Sequence, residues 1–325
     1  MGQLIDGRWE AGDANPKTSD GAFERKESVF RNWVTADGAP GPTGAGGFAA
    51  ESGRYHLYVS YACPWAHRAL IYRAVKGLAA HITVDVVHPF MLDDGWTFDT
   101  GYPGTTGDTL LGKRVLREVY LESDPQATTK VTVPVLWDRQ TETIVSNESA
   151  EIIRMLGTAF DRITGNALDF RPEALADEID GLNARIYRGF NNGVYRAGFA
   201  RTQTAYDTAA EEVFATLDWL EAHLADRRFL TGEAITEADW RLATTLFRFD
   251  TAYHGHFKCN RRRIVDCPNL WDYTRALYQY PGVRETVHFD HIAWHYYHSH
   301  RTINPTGIVP LGPAIDWDAP SGRAP

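Results

Sequence analysis

The stretch from Tyr55 to Val75 restricts the fold more than any other. A short apolar run, Tyr55 to Ser60, enters the turn Tyr61-Ala62-Cys63-Pro64-Trp65-Ala66-His67-Arg68. An apolar-periodic segment (Ala69, Leu70, Tyr72, Ala74, Val75) leaves it. The change from a strand-length run to helical spacing predicts strand, turn and helix, with Cys63 at the helix N-terminus. Pro64 suits the first helical position, because its missing N–H has no intrahelical acceptor to lose. The unpaired N–H groups and the positive end of the helix dipole favour a thiolate there, and His67 and Arg68 add positive potential. A cysteine so placed has a lowered pKa and is nucleophilic near neutral pH. The partner position of a Cys-x-x-Cys motif is Ala66. Any resolving thiol must therefore come from outside the motif, most simply from a small-molecule thiol. The alternative, a buried structural thiol, fits poorly with the N1 proline and the basic neighbours.

The whole chain narrows the class. Its 325 residues leave room for about two domains, and 43% hydrophobic residues suffice for real cores. A net charge of -9 without a basic block argues against nucleic acid as a partner. There is no apolar run of membrane-spanning length, and the first residues lack a basic-then-apolar leader. Three cysteines, Cys63, Cys259 and Cys267, are too few and too odd for a disulfide framework, so a cytoplasmic protein is expected. Cys259 and Cys267 flank the basic run Arg261-Arg262-Arg263; a regulatory disulfide and two ordinary thiols are both open readings.

Residues 1–50 are polar and rich in glycine and proline, and read as an extended arm with little regular structure. Trp9 and Trp33 suggest that the arm packs against the body. Residues 51–163 read as strand Tyr55–Ser60, helix Pro64–Lys76, strand Ile82–His88 and a Gly- and Asp-rich excursion from Met91 to Gly112. Helix Lys113–Ser123, a strand through Val133-Pro134-Val135-Leu136-Trp137, its hairpin partner Thr143–Val145 and a helix capped by Asn147-Glu148-Ser149 complete this half. The order fits a small mixed sheet with helices on both faces. Residues 170–325 are helical almost throughout. The helices span Leu175–Tyr187 and Ala209–Leu224, then one that begins at a Thr236–Asp239 capping box, then Asn269–Tyr280 and Val283–His298. A proline-rich tail from Asn304 should be extended.

A βαβ–ββα half with its cysteine at the first strand–helix junction, a Val-Pro strand and an all-helical second half together resemble the cytosolic glutathione transferases. The closer resemblance is to their xi class, the glutathionyl-hydroquinone reductases. It rests on Cys63-Pro64-Trp65-Ala66-His67-Arg68, Asp94-Gly95-Trp96, Lys130 to Asp138, Asn191-Asn192-Gly193-Val194-Tyr195, His295-Tyr296-Tyr297, Ser299-His300 and Ile303-Asn304-Pro305. The resemblance runs from about Trp33 to Pro313. It implies a thioredoxin-like N-terminal domain, an all-α C-terminal domain and an active site in the cleft between them. It also implies a cis Val133-Pro134 bond with the Val133 backbone against the cysteinyl part of glutathione. Glu148 and Ser149 would grip the γ-glutamyl group, Ser149 at a helix N-terminus suited to a carboxylate, and Trp96 would lie over the glutathione backbone. For Lys130 a glutathione carboxylate and a simple solvated charge are equally open. A homodimer is expected from the same resemblance.

Tyr195, Tyr253 and Tyr296 come from three separate helical segments, where aromatics usually fill cores. The polar neighbours of Tyr195 and Tyr296 (Asn191, Asn192, Arg196, His295) suggest instead phenols facing an acceptor pocket, where they would hydrogen-bond a quinol oxygen and stabilise the phenolate developing on the leaving group. The series His288, His291, His295, His298 has spacings of three and four, with His300 beyond, and invites a metal reading. The absence of a His-Glu-x-x-His motif and of a matching cysteine pair argues against it, and no metal is expected. The resemblance thus implies that Cys63 attacks the glutathionyl sulfur of a glutathionyl-hydroquinone, leaving a mixed disulfide that a second glutathione resolves. An omega-like thioltransferase or dehydroascorbate reductase, or a non-catalytic scaffold, would be the competing readings.

Overall fold

The computed structural model describes residues 2–12 and 18–323, and these form two compact units: residues 2–12 with 26–168, and residues 18–25 with 169–323.

The first unit is built on strands β3 (Tyr55–Val59), β4 (Thr83–Val86), β6 (Val135–Asp138) and β7 (Thr143–Ser146), in the spatial order β4-β3-β6-β7. β4 runs parallel to β3, while β6 and β7 are antiparallel to their neighbours. This is the thioredoxin-like arrangement. Every residue of β3 is buried, as expected of a central strand covered on both faces. Helices α1 (Pro64–Val75) and α3 (Ser149–Thr158) pack together, and α2 (Leu116–Ser123) and the short α4 (Asp161–Thr164) complete the unit. Where β3 meets β6, Arg54 makes a two-pronged, buried pair with Asp138, at 2.8 Å from Nε and 2.6 Å from Nη2. Pairing in β6 begins at Val135 and not at Val133, because Pro134 has no N–H to donate to a ladder.

The N-terminal arm is not without regular structure. Residues 2–11 form the hairpin β1 (Gly2–Ile5) and β2 (Arg8–Ala11), and β1 also pairs with β5 (Thr129–Lys130) to give a second sheet, β2-β1-β5. Asp6 and Gly7 both have positive φ at its tip (47° and 74°), the conformation that a two-residue hairpin turn needs. Trp9 donates its indole N–H to the Asp93 carbonyl at 2.9 Å, tying the hairpin to the excursion. That excursion is pinned to the sheet by two carboxylates. Asp85 accepts the backbone N–H and hydroxyl of Thr109 and the hydroxyl of Thr106. Asp108 accepts the Tyr58 hydroxyl and the N–H groups of Leu110, Leu111 and Lys113.

In the second unit, α5 (Ala176–Ile186), α6 (Gly193–Gly198), α7 (Gln203–His223), α8 (Glu237–Arg248), α9 (Pro268–Tyr278) and α10 (Phe289–Trp294) surround an aromatic core. The Thr236–Asp239 capping box forms, with Asp239 Oδ2 accepting Thr236 N–H at 2.7 Å. Three π-helical turns interrupt the α-helices: Tyr187–Asn191, Phe249–Tyr253 and His295–Ser299. The expected single helix over Val283–His298 is therefore broken twice. A 3-10 turn at Arg284–Thr286 ends at the extended residue Val287, and α10 passes into the third π turn. The tail is extended and anchored: Trp317 packs on Phe289, Trp271 and Tyr278, and Gln279 donates to its carbonyl at 2.9 Å. Among the described residues, no helix is long and apolar enough to cross a membrane.

Candidate active site

Cys63 is the N-cap of α1, half-buried, with Pro64 at N1 and no acidic residue in the first turn. Its carbonyl accepts the His67 N–H at 3.0 Å, which closes the first helical turn. The thiol donates to the carbonyl oxygen of Val133 at 3.5 Å, and the Val133-Pro134 bond is cis. Sequence positions 70 residues apart thus meet at one sulfur. Arg68 is almost wholly buried, stacks at 4.6 Å over the Trp65 ring and donates from Nη1 to Ser149 Oγ at 3.3 Å. Its charge therefore joins the thiol helix to the start of α3, a link the sequence reading missed. His67 is fully buried.

Glu148 is the N-cap of α3, accepting the Ala150 N–H at 3.0 Å, and Ser149 is the first helical residue. The other Glu148 oxygen accepts the hydroxyl of Ser28 at 3.0 Å. Arg31 holds Glu151 through both guanidinium prongs, at 2.7 Å from Nε. Arm residues 28–32 thus run along β7 and the α3 N-terminus, which sequence reasoning also missed. Trp96 is buried at 5% exposure, its carbonyl accepting the Leu116 N–H at the start of α2. Lys130 lies on β5, paired with Gln3 and half-buried, in the second sheet.

In the second unit the three tyrosines converge. The Tyr296 hydroxyl lies 2.5 Å from that of Tyr195 and 2.9 Å from that of Tyr253. Phe257 supports the group, its ring stacked on Tyr253 at 5.4 Å and edge-on to Tyr195 and Tyr296. Burial holds the Tyr253 and Tyr296 phenols well above their ordinary pKa, Arg248 pulling the other way, so both are neutral donors near pH 7.

The histidines do not form the single face their spacing suggests. His288 precedes α10 as its N-cap, and His295 and His298 lie in the π turn. His300 instead shares a hydrogen bond with His256, 3.1 Å from Nε2 to Nδ1, and both rings pack against Tyr296. Burial, together with Lys258 and His295, pushes His256 down to about 3, so it is neutral at physiological pH. Among the described residues, no group of three His, Cys, Asp or Glu side chains is placed to hold a metal. Cys259 is buried, with its thiol pushed up to about 12, and burial also raises Cys267. Both shifts disfavour the thiolate.

A half-buried thiol at a helix N-terminus on a thioredoxin-like sheet, beside the cis Val133-Pro134 bond, is the arrangement that the resemblance to the glutathione transferases implies. Comparison with known proteins agrees. Profiles of the glutathione S-transferase N-terminal and C-terminal domains match residues 62–159 and 203–276. The glutathionyl-hydroquinone reductase YqjG of Escherichia coli K12 is 58% identical over 323 residues, covering 99% of this chain and 98% of that one. PcpF of Sphingobium chlorophenolicum, also a glutathionyl-hydroquinone reductase, is 49% identical, covering 97% of each chain. The glutathione-bound structure of YqjG superposes with a TM-score of 0.92 at 57% identity, covering 99% of each chain. The xi-class transferase of Natrialba magadii superposes at 0.91 and 47%, covering 99% of this chain and 96% of that one. The chain belongs to the glutathione transferase family, and within it to the xi class.

Proposed function

We propose that this glutathione-dependent oxidoreductase removes glutathione from glutathionyl-hydroquinones. The Cys63 thiolate attacks the glutathionyl sulfur. As the Cys63–S bond forms, the bond from that sulfur to the ring carbon breaks. The ring takes the electron pair, and two sulfurs are oxidised to a mixed disulfide. Attack on the keto tautomer of the ring lets the pair arrive as a phenolate on oxygen, which then takes a proton. A second glutathione thiolate attacks the mixed disulfide, giving oxidised glutathione and free Cys63. The balance is one conjugate and one glutathione converted to one hydroquinone and one glutathione disulfide. Val133, Glu148, Ser149 and Trp96 are assigned to glutathione. Lys130 is a further candidate for a glutathione carboxylate, and Tyr195, Tyr253 and Tyr296 are assigned to the departing ring.

The convergence of the Tyr195 and Tyr253 hydroxyls on that of Tyr296 supports this reading over simple disulfide reduction, because only an aromatic leaving group needs oxyanion donors. The relatives named as reductases of glutathionyl-hydroquinones support the same substrate class. The test is turnover of glutathionyl-menadiol. Without glutathione, one equivalent of menadiol should be released and a glutathione adduct should map to Cys63 by mass spectrometry. With glutathione, release becomes catalytic. Full activity in Cys63→Ala would refute the mechanism. Activity on glutathionylated peptides but none on the aryl conjugate would leave an omega-like thioltransferase.

A further inference from the structure

The N-terminal arm extends the main sheet and reaches the start of α3. β7 is an edge strand in the order β4-β3-β6-β7, and Arg31 bridges to its Ser146 in antiparallel fashion. Asn32 N–H donates to the Val145 carbonyl at 2.9 Å, and Asn147 N–H donates to the Phe30 carbonyl at 3.1 Å. The buried Asn147 side chain fixes this register. Its Oδ1 accepts the Phe30 N–H at 3.2 Å, and its Nδ2 donates to the Tyr120 hydroxyl at 3.1 Å. The same course carries Ser28 to the N-terminus of α3. There its hydroxyl lies 3.0 Å from Glu148 Oε2 and 3.3 Å from the Asn147 carbonyl.

Glu148 is held by neutral donors. Oε1 accepts the Ala150 N–H at 3.0 Å, and Oε2 accepts the Ser28 hydroxyl. Among the described residues no cation forms an ion pair with it. Arg31, whose charge acts on Glu148 through space, is bonded instead to Glu151 through both guanidinium prongs. A carboxylate has about four lone-pair sites, and here one is taken on each oxygen. Half-buried Glu148 thus keeps a negative charge with open acceptor sites, and a charge out of water is favourable only when it is paired. A ligand ammonium supplies that pair. Without the Ser28 bond, the carboxylate would be free to turn about its one remaining contact at Ala150, and ordering it would fall to the ligand.

We infer that Ser28 is a positioning residue of the glutathione site, holding the Glu148 carboxylate to receive the γ-glutamyl ammonium. This rests on the assignment of Glu148 to glutathione made above, and the test separates the two. Affinities for glutathione and for its desamino analogue, glutaryl-cysteinylglycine, are measured by calorimetry on the full chain. The proteins compared are the wild type, Ser28→Ala, Ser28→Thr and Glu148→Gln. The analogue lacks only the ammonium, so the ratio of the two affinities isolates the contact with Glu148. That ratio should fall about fivefold in Ser28→Ala and further in Glu148→Gln. It should stay near the wild-type value in Ser28→Thr, which keeps the hydroxyl. A ratio lowered in Glu148→Gln but unchanged in Ser28→Ala would overturn the inference, even with both affinities reduced, and would leave Ser28 as an anchor for the arm. A ratio unchanged in Glu148→Gln would instead remove Glu148 from the glutathione site, and the inference with it.

Discussion

Replacing Tyr296 by Phe removes one oxygen and two hydrogen bonds. The ring is almost wholly buried and packs edge-on to Tyr253 and Phe257, so the phenylalanine has the same shape to fill. The lost oxygen lies 2.5 Å from the Tyr195 hydroxyl and 2.9 Å from that of Tyr253. Each bond contributes roughly 0.5–1.5 kcal/mol net, so Tyr296→Phe should cost about 1–3 kcal/mol of stability. Tyr195→Phe and Tyr253→Phe should each cost about half as much. Urea unfolding of the single variants and of Tyr195→Phe/Tyr296→Phe should give a coupling energy of about 1 kcal/mol between the two sites. The catalytic effect is separable from stability. Loss of one oxyanion donor should lower kcat on glutathionyl-menadiol by roughly a hundredfold. A glutathionylated peptide releases a thiolate and has no aryl oxyanion, so its rate should fall far less. Equal losses on the two substrates would refute the leaving-group role, and a coupling energy near zero would refute the shared hydroxyl.

Iodoacetamide at neutral pH should alkylate Cys63 well before the other cysteines. A thiol raised from 9.0 to about 12 carries roughly a thousandfold less thiolate, so peptide mapping that finds Cys259 modified early would contradict its burial. For Asp85, burial alone would raise the carboxyl, but the His56 imidazole 3.3 Å away and hydrogen bonds from Thr109 outweigh it and hold the group below the usual carboxylate range. A depressed folded pKa means stability present above the unfolded value near 3.9 and lost as pH falls through the folded one. Asp85→Asn should therefore cost about 2 kcal/mol at pH 7 and shrink the acid-induced loss below about pH 4. Limited proteolysis should then cut first within residues 92–112; a cut elsewhere would show that Asp85 does not pin the excursion. Trp317→Ala should free the tail, exposing residues 305–323 to carboxypeptidase while leaving hydrogen exchange in α7 intact; unchanged resistance would mean that Gln279 and Arg323 suffice to hold it.

What was legible in the sequence was local. Strand, turn and helix around Cys63 follow from one proline and a change of apolar spacing, and the Thr236–Asp239 cap follows from residues three apart. The Asp6-Gly7 turn was equally readable, since Asp-Gly between apolar neighbours is a strong hairpin signal. The glycine-rich composition of the arm obscures it. Contacts made across the fold left no such trace. Arg68 meets Ser149 across 81 positions and Arg25 meets Asn192 across 167, and nothing in the spacing of either arginine marks its partner. The histidine series shows the reverse error. Its spacing is helical, but the backbone there leaves the α-helix at both ends.

The π turns account for that failure and for the phenol cluster together. One α-helical residue turns the chain by about 100°, so a single extra residue in a turn re-aims everything after it by that angle. The first two turns close with i to i−5 bonds of 2.8 Å, Asn192 N–H to the Tyr187 carbonyl and His254 N–H to the Phe249 carbonyl. One lies just before the helix of Tyr195, the second ends on Tyr253 and the third contains Tyr296. A helix packed by its apolar stripe points each side chain where that stripe dictates. Three hydroxyls from three such helices would meet only by coincidence of register. An inserted residue frees the aim of each phenol from the packing of its helix, at the cost of a poorer backbone turn. Local irregularity that costs stability and is repeated at each member of one side-chain cluster is best explained by what that cluster does.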